Sequence, residues 1–267
     1  MGRWLRRIAF GLAFVVTAFV VTAVLRGPVC LPFDLVSNLW PAVEAPELRP
    51  PADGKTRVVF LQHGLWRTSY SMGRLQRTLE ANGYEVVNDG YPSTEDRIEG
   101  HARRLRDLVE ARFAKGPVDE IGFVGHSMGG LVIQEYLRRD DAREPKACVY
   151  LASPHRGAIL ADKRHHWFAF QLAMGDLAAG QLVTTDPFHL QPIPFKERSG
   201  TVVGDIGPGN GSIPGRDDGT VGVSEATFEG CGDSVTVPFG HTRIALMETV
   251  LRQVLTFLRD GQFSHRG

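Results

Sequence analysis

Cysteine and net charge are both scarce in this sequence, and each shortage excludes a class of protein. The three cysteines, Cys30, Cys148 and Cys231, are too few for a disulfide scaffold. The chain has 30 basic and 30 acidic side chains, so its formal net charge is zero. No long basic run follows the first few residues, which argues against a nucleic-acid-binding surface. This charge balance is consistent with a neutral substrate.

The cysteines differ in their expected surroundings. Cys148 lies in the apolar run 147–151, which predicts a small buried side chain. Cys30 and Cys231 flank turn-like sequence, and they could form a disulfide if the protein is exported or remain separate thiols. Sequence alone does not give the distance between them, so both interpretations stay open.

The first 26 residues contain an almost unbroken apolar stretch, residues 8–25. As a helix this stretch spans about 27 Å, just enough for the hydrocarbon core of a membrane. Arg3, Arg6 and Arg7 precede it and a single arginine follows closely, so we expect a cytoplasmic N-terminus with the remainder outside the cytoplasmic membrane, in the periplasm or beyond the cell. We favour an uncleaved anchor over residues 1–26 because the run is longer than a usual signal core. A cleaved signal peptide, which would give a secreted protein, is the alternative.

Residues 27–55 are rich in proline. Proline lacks a backbone donor and resists helix formation, so this stretch predicts an extended tether. Its apolar residues suggest that part of it packs on the domain or on the membrane surface; they are Phe33, Leu35, Leu39 and Trp40. The folded domain is then expected over residues 56–263, a size that suits a single domain.

From residue 56 onward, short apolar runs alternate with amphipathic helical patterns. The runs predict strands at 58–61, 84–87, 121–124, 147–151, 201–203 and 234–237. The helical patterns lie at 71–81, 105–113, 128–138 and 244–258. This alternation predicts an α/β fold with a mostly parallel sheet covered by helices on both sides. Residues 158–195 break the rhythm and predict an excursion over the strand ends, suited to a lid.

A G-x-S-x-G motif is centred on Ser127, between the strand predicted at 121–124 and the helix predicted at 128–138. The chain must turn sharply there, and Gly125 and Gly129 remove side chains that would collide in the turn. The serine hydroxyl is left exposed at the strand-end edge of the sheet. This context predicts that Ser127 is a nucleophile.

A serine needs a base, and histidine titrates in the useful range. His241 is the favoured base because it follows the strand predicted at 234–237 and a flexible turn, which places it at the same edge as Ser127. In hydrolases with this serine turn, the histidine comes last along the chain. A core or capping role for His241 remains the alternative. His126 is expected to point away from the hydroxyl, and His63 to brace its loop.

The acid that orients the histidine should lie between the serine and the histidine in sequence. We favour Asp218, which stands directly before Gly219 in a polar turn, and Asp205 and Asp217 stay open as alternatives. Negative charge on the substrate oxygen needs two backbone N–H donors. The expected donors are the amides of Met128, which follows the nucleophile, and of Leu65, in the loop after the first strand.

Aromatic side chains near these positions are candidates for an apolar acyl-binding site. Trp66 follows Leu65, and Trp167 and Phe168 lie in the predicted excursion. Core packing is the competing explanation for such residues.

Four motifs carry a resemblance to a known family; they are His63-Gly64-Leu65, Gly125-His126-Ser127-Met128-Gly129-Gly130, Ala152-Ser153-Pro154-His155-Arg156-Gly157 and Asp218-Gly219-Thr220-Val221. Through them, residues 57–263 resemble the bacterial lipase and esterase branch of the α/β-hydrolase family. The resemblance implies Ser127 as nucleophile, Asp218 as acid, His241 as base, and oxyanion donors at Leu65 and Met128.

The chain also departs from this family's usual pattern. It lacks sequence for the first antiparallel strands that many members carry, so we expect a small sheet of about six strands. A membrane tether is not a general lipase feature. We see no carboxylate cluster for a structural calcium and expect neither a metal nor a cofactor.

The residues and the resemblance together predict a serine carboxylic-ester hydrolase acting on a small-molecule or lipid acyl ester, with the membrane as a partner through the N-terminal segment. Acyl transfer or amide cleavage would use the same residues. A non-catalytic scaffold would be expected to lack one of the three catalytic side chains, and all three are present.

Overall fold

The computed structural model describes residue 34 and residues 39–164 and 177–265. The predicted anchor, residues 1–26, lies outside these residues, and so does Cys30, whose pairing with Cys231 stays a prediction. Within the described residues, no helix combines the length and apolar character needed to cross a membrane.

The core of the fold is a six-stranded sheet with the order β2-β1-β3-β4-β5-β6. The strands are β1 (Arg57–Gln62), β2 (Glu85–Asn88), β3 (Glu120–His126), β4 (Ala147–Leu151), β5 (Ser199–Gly204) and β6 (Asp233–Val237). Every neighbouring pair is parallel. The prediction of a small parallel sheet is therefore confirmed, and the carboxyl ends of all six strands meet at one edge.

Five α-helices cover the sheet in the described residues. They are α1 (Gly73–Ala81), α2 (Ile98–Phe113), α3 (Met128–Leu137), α4 (Ile159–Arg164) and α5 (Glu248–Asp260). Short 3-10 helices lie at Pro46–Leu48, Ser69–Met72, Gly180–Leu182, Pro187–Leu190, Lys196–Arg198 and Ile244–Leu246. Two of these 3-10 helices cover the beginnings of the helices predicted at 71–81 and 244–258. Met247 is extended (φ −78°, ψ 130°), which separates the second one from α5.

Strand alternation divides the core into two layers. In β1, Val59 and Leu61 face the layer that holds α1 and α5, whereas Val58 and Phe60 face the layer that holds α2 and α3. Because both faces are covered, all six side chains of β1 are buried. This burial explains why the strand reads as a continuous apolar run in the sequence.

Part of the proline-rich stretch packs against the domain. Val43 and Ala45 are buried, and their N–H groups donate to Thr78 Oγ1 at 3.0 Å and to Asn82 Oδ1 at 2.9 Å. Asn82 Nδ2 donates in return to the Val43 carbonyl at 2.8 Å. These bonds hold residues 43–45 against the end of α1.

Candidate active site

Ser127 occupies a strained turn between β3 and α3. Its φ of 54° and ψ of −128° lie in a region that residues with a side chain rarely adopt. Glycines make room for the turn: a Cβ on Gly129 would lie 2.2 Å from the backbone oxygen of Gln62, and one on Gly125 would lie 2.5 Å from the Gly130 nitrogen. The turn therefore presents the Ser127 hydroxyl at the edge where the strands end.

His241 follows β6, the outermost strand on that side of the sheet, and reaches the serine at the edge where the strands end. Its Nε2 lies 3.0 Å from Ser127 Oγ, and its Nδ1 lies 2.7 Å from Asp218 Oδ2. The His241 backbone N–H also donates to the Asp218 carbonyl at 2.9 Å. This arrangement allows a proton to pass from the serine hydroxyl to Nε2 while Nδ1–H donates to the carboxylate.

Asp218 is held by more than the histidine. Its side chain is 1% exposed, and its Oδ1 accepts the N–H groups of Thr220 at 2.9 Å and Val221 at 2.7 Å. The two alternative acids interact with other groups. Asp205 forms an ion pair with Arg216, and Asp217 accepts the N–H of Gly219 at 2.6 Å. The structure thus brings Asp218 to His241, and it engages Asp205 and Asp217 elsewhere in the loop.

The loop after β1 passes directly beside the serine. A Cβ on Gly64 would lie 3.0 Å from Ser127 Cβ. In the described part of the chain, no acceptor is bound to the Leu65 N–H or to the Met128 N–H, which is the first of α3. Both amides are therefore available to a ligand oxygen.

Of the predicted aromatic residues, only Trp66 lies within the described part of the chain. Trp66 is half-buried, and its backbone is in the left-handed region, with φ of 63°. Its backbone N–H donates to Ser93 Oγ at 2.9 Å. Trp167 and Phe168 lie outside the described residues. In the predicted excursion, residues 158–164 and 177–195 contain helices and turns but no sheet strand.

Two buried histidines support the site without touching the serine hydroxyl. His126 Nε2 lies 3.0 Å from the His241 carbonyl, and burial holds the pKa of His126 well below its ordinary value. The neutral ring therefore donates its Nε2–H to that carbonyl. Burial likewise lowers the pKa of His63 to about 4, and the His63 ring stacks on Tyr91 with centroids 4.2 Å apart. The sequence did not predict the His126 bond because its partner is a main-chain atom, 115 positions away.

Another contact that the sequence did not predict comes from Asp34, whose carboxylate binds Thr68 in the loop after β1. The sequence offered no signal for it, since a single carboxylate in a proline-rich stretch has no periodicity or motif. No group of three His, Cys, Asp or Glu residues within the described residues is arranged to hold a metal ion.

Comparison with known proteins gives a family and several related folds. The sequence model of the alpha/beta hydrolase family matches residues 58–208. A mature lipase of Bacillus licheniformis is similar in structure, with a TM-score of 0.59 and 21% identity over 78% of this chain and 94% of that one. A metagenomic carboxyl esterase has a TM-score of 0.57 and 19% identity over 73% of this chain and 67% of that one. A pyrethroid hydrolase has a TM-score of 0.51 and 14% identity over 78% and 99%. No protein of curated function matches the sequence.

Proposed function

The chain belongs to the alpha/beta hydrolase family, and we propose that it is a serine carboxylic-ester hydrolase that works through an acyl-enzyme on Ser127. One observation carries the proposal: Ser127 Oγ, His241 and Asp218 form a continuous chain of contacts at 3.0 and 2.7 Å. These distances are within the range that proton transfer between a nucleophile and its base requires.

The first half of the reaction forms the acyl-enzyme. Ser127 Oγ bonds to the ester carbonyl carbon while its proton moves to His241 Nε2, and the carbonyl electron pair moves onto the oxygen. The amides of Leu65 and Met128 donate to that oxyanion. The C=O bond then re-forms, the bond to the alkoxy group breaks, and His241 returns the proton to the departing alcohol.

Water completes the cycle by the same steps. His241 removes a proton from water, the hydroxide attacks the acyl carbon, and the Ser127 ester bond breaks as Oγ regains the proton. The Asp218 carboxylate accepts from His241 Nδ1–H and stabilises the imidazolium that forms twice. The products are one carboxylic acid and one alcohol, and no cofactor takes part.

The substrate we propose is a neutral acyl ester, from a small molecule or a lipid. Trp66 stands beside the Leu65 donor, and Trp167 and Phe168 would complete an apolar acyl site with it. The zero net charge of the chain supplies no long-range preference for a charged ester.

The location we propose rests on the sequence of residues 1–26 alone. Three arginines before the apolar stretch would keep the N-terminus in the cytoplasm and place the catalytic domain on the outer side of the cytoplasmic membrane. Protease added to intact spheroplasts should then digest the domain, and release of the domain into the medium would show that the segment is cleaved. Protection until lysis would refute the proposed location.

The function is tested with the full chain and its Ser127→Ala variant on p-nitrophenyl esters of graded chain length. We expect the variant to lose turnover by about 10⁴-fold or more and to lose labelling by a fluorophosphonate. Ser264→Ala, a change at an exposed position beside α5, is the matched control. Well-folded wild-type protein that neither turns over esters nor takes the label would refute the proposal. Adding an acceptor alcohol and analysing the products separates hydrolysis from acyl transfer.

A further inference from the structure

Asp34 is a buried carboxylate that comes from outside the region matched by the family model, residues 58–208. Its side chain is 0% exposed. Its Oδ2 accepts both the N–H and the Oγ1–H of Thr68, each at 2.8 Å. Its Oδ1 lies 2.6 Å from Nη2 of Arg67, whose side chain is only 9% exposed. A single residue of the proline-rich stretch thus makes three polar contacts with two consecutive residues of the domain.

Arg67 and Thr68 are the last two residues of the segment that we name the oxyanion loop, residues 64–68. The loop carries the Leu65 amide and contains Trp66 in the left-handed conformation, which is unfavourable for a residue with a side chain. Such a backbone persists only where its surroundings hold it. Ser93 Oγ holds the loop at the Trp66 N–H, and Asp34 holds it at Arg67 and Thr68.

Because Arg67 is charged, its contact with Asp34 is an ion pair, and losing it would have a larger effect than losing one neutral hydrogen bond. A buried guanidinium is tolerated only when a counter-charge lies beside it. Without the Asp34 carboxylate, Arg67 would gain by turning toward water, and the loop backbone would move with it. Because a displacement of about 1 Å at a reacting group lowers the rate about 10²-fold, a small loop movement is enough to weaken catalysis.

We propose that Asp34 is a positioning residue for the Leu65 oxyanion donor. Catalysis then depends on a residue that precedes the first strand of the domain, in a stretch that looks like a linker. The proposal rests on the ester-hydrolase function proposed above.

The test compares full-length wild type, Asp34→Asn and Asp34→Asn/Arg67→Met on p-nitrophenyl butyrate. Asp34→Asn should lower kcat about 10- to 100-fold and change KM less than about threefold, because the donor acts on the oxyanion of the transition state. The double variant removes the unpaired charge and should recover at least about threefold of the lost kcat. Asp140→Asn, at an exposed turn after α3, is the matched control and should leave both constants unchanged.

Three results would overturn the proposal: an unchanged kcat in Asp34→Asn, a raised KM with kcat intact, or a double variant as slow as the single one. If Asp34→Asn does not fold, Thr68→Val serves in its place, since it removes one contact and keeps the ion pair. It should lower kcat about threefold to tenfold, the value of one buried hydrogen bond, and an unchanged kcat would again overturn the proposal.

A readout independent of turnover separates this proposal from the function it rests on. Acrylamide quenching of Trp66 fluorescence, obtained by subtracting a Trp66→Phe partner for each protein, reports the exposure of the oxyanion loop. Quenching should increase in Asp34→Asn and not in Asp140→Asn. If wild type shows no esterase activity, the proposed function fails, and this measurement alone decides whether Asp34 holds the loop.

Discussion

Acidification should destabilise this protein strongly, because several histidines are buried in their neutral form. Burial lowers the pKa of His63 to about 4 and that of His155 to about 3, and it lowers the pKa of His126 well below its ordinary value. In the unfolded chain a histidine titrates near pH 6.5. As the pH falls below that value the unfolded state takes up protons that the folded state does not bind, so stability present above pH 6.5 is lost on the acid side.

The size of the loss follows from these pKa values. Between pH 7.5 and 5.5, a histidine with an unfolded pKa near 6.5 and a folded pKa of 4 or below loses on the order of 1 kcal/mol of stabilisation, and not more than about 1.5 kcal/mol. His63 and His155 together therefore lower the free energy of unfolding by roughly 3 kcal/mol, and His126 adds a loss of the same sign. Such a loss is large because the free energy of unfolding of a whole domain is typically only about 5–15 kcal/mol.

Urea unfolding of the full chain at pH 7.5 and 5.5, followed by circular dichroism, measures this difference. His155→Gln should reduce the pH dependence by on the order of 1 kcal/mol, because glutamine is neutral at both pH values. His155 Nδ1 lies 2.6 Å from Gln134 Nε2, and the replacement can still accept that bond. Ser264→Ala, at an exposed position without a titratable side chain, is the control and should leave the dependence unchanged. Equal stability at the two pH values, or an unaltered dependence in His155→Gln, would refute the reasoning.

Three further predictions concern the site itself. Asp218→Asn should lower kcat about 10⁴-fold with little change in KM, measured by steady-state ester hydrolysis, and a loss below tenfold would rule out its role as the orienting acid. Gly129→Ala should lower the free energy of unfolding, measured with urea, by about 3 kcal/mol, because the added methyl would meet a backbone oxygen of β1 at 2.2 Å. Gly211→Ala is the control, since the space around its Cβ position is open, and it should cause no comparable loss. Equal losses in the two variants would contradict the packing argument. His126→Ala should lower kcat about fivefold, because it removes the donor to the His241 carbonyl. His126→Gln should restore part of that loss. Identical rates in the two variants would contradict a role for this hydrogen bond.

The sheet could be predicted well from the sequence because its four central strands, β1, β3, β4 and β5, are buried on both faces. Burial on both faces gives a continuous apolar run at residues 58–61 of β1 and throughout β4, and these runs mark the ends of the strands to within about one residue. The order of serine, acid and histidine along the chain, taken with the turn that follows the strand predicted at 201–203, favoured Asp205, Asp217 and Asp218 as candidates for the acid. The structure then brought Asp218 to the histidine, because the turn at Gly219 directs its carboxylate there and directs that of Asp217 into the loop.

Other features of the site depend on contacts that leave no local pattern. The bond from His126 to the carbonyl of His241 joins a side chain to the main chain, and main-chain acceptors are the same at every position. Asp34 stands 34 residues before Thr68 in a stretch without periodicity. Such contacts arise only after the strands have paired, so no window of sequence contains both partners.

The position of His241 after β6 also affects when the protein becomes reactive during its synthesis. The serine turn is built from β3 and α3 and packs on β1, all within the first 137 residues, whereas His241 follows a strand that pairs only with β5 at the edge of the sheet. The serine and the histidine are 114 positions apart, a gap that a ribosome covers in roughly 6–23 s at 5–20 residues per second. A nascent chain therefore carries its nucleophile without a base through that interval. Under the function proposed above, ester hydrolysis begins only when β6 pairs with β5 and His241 reaches Ser127.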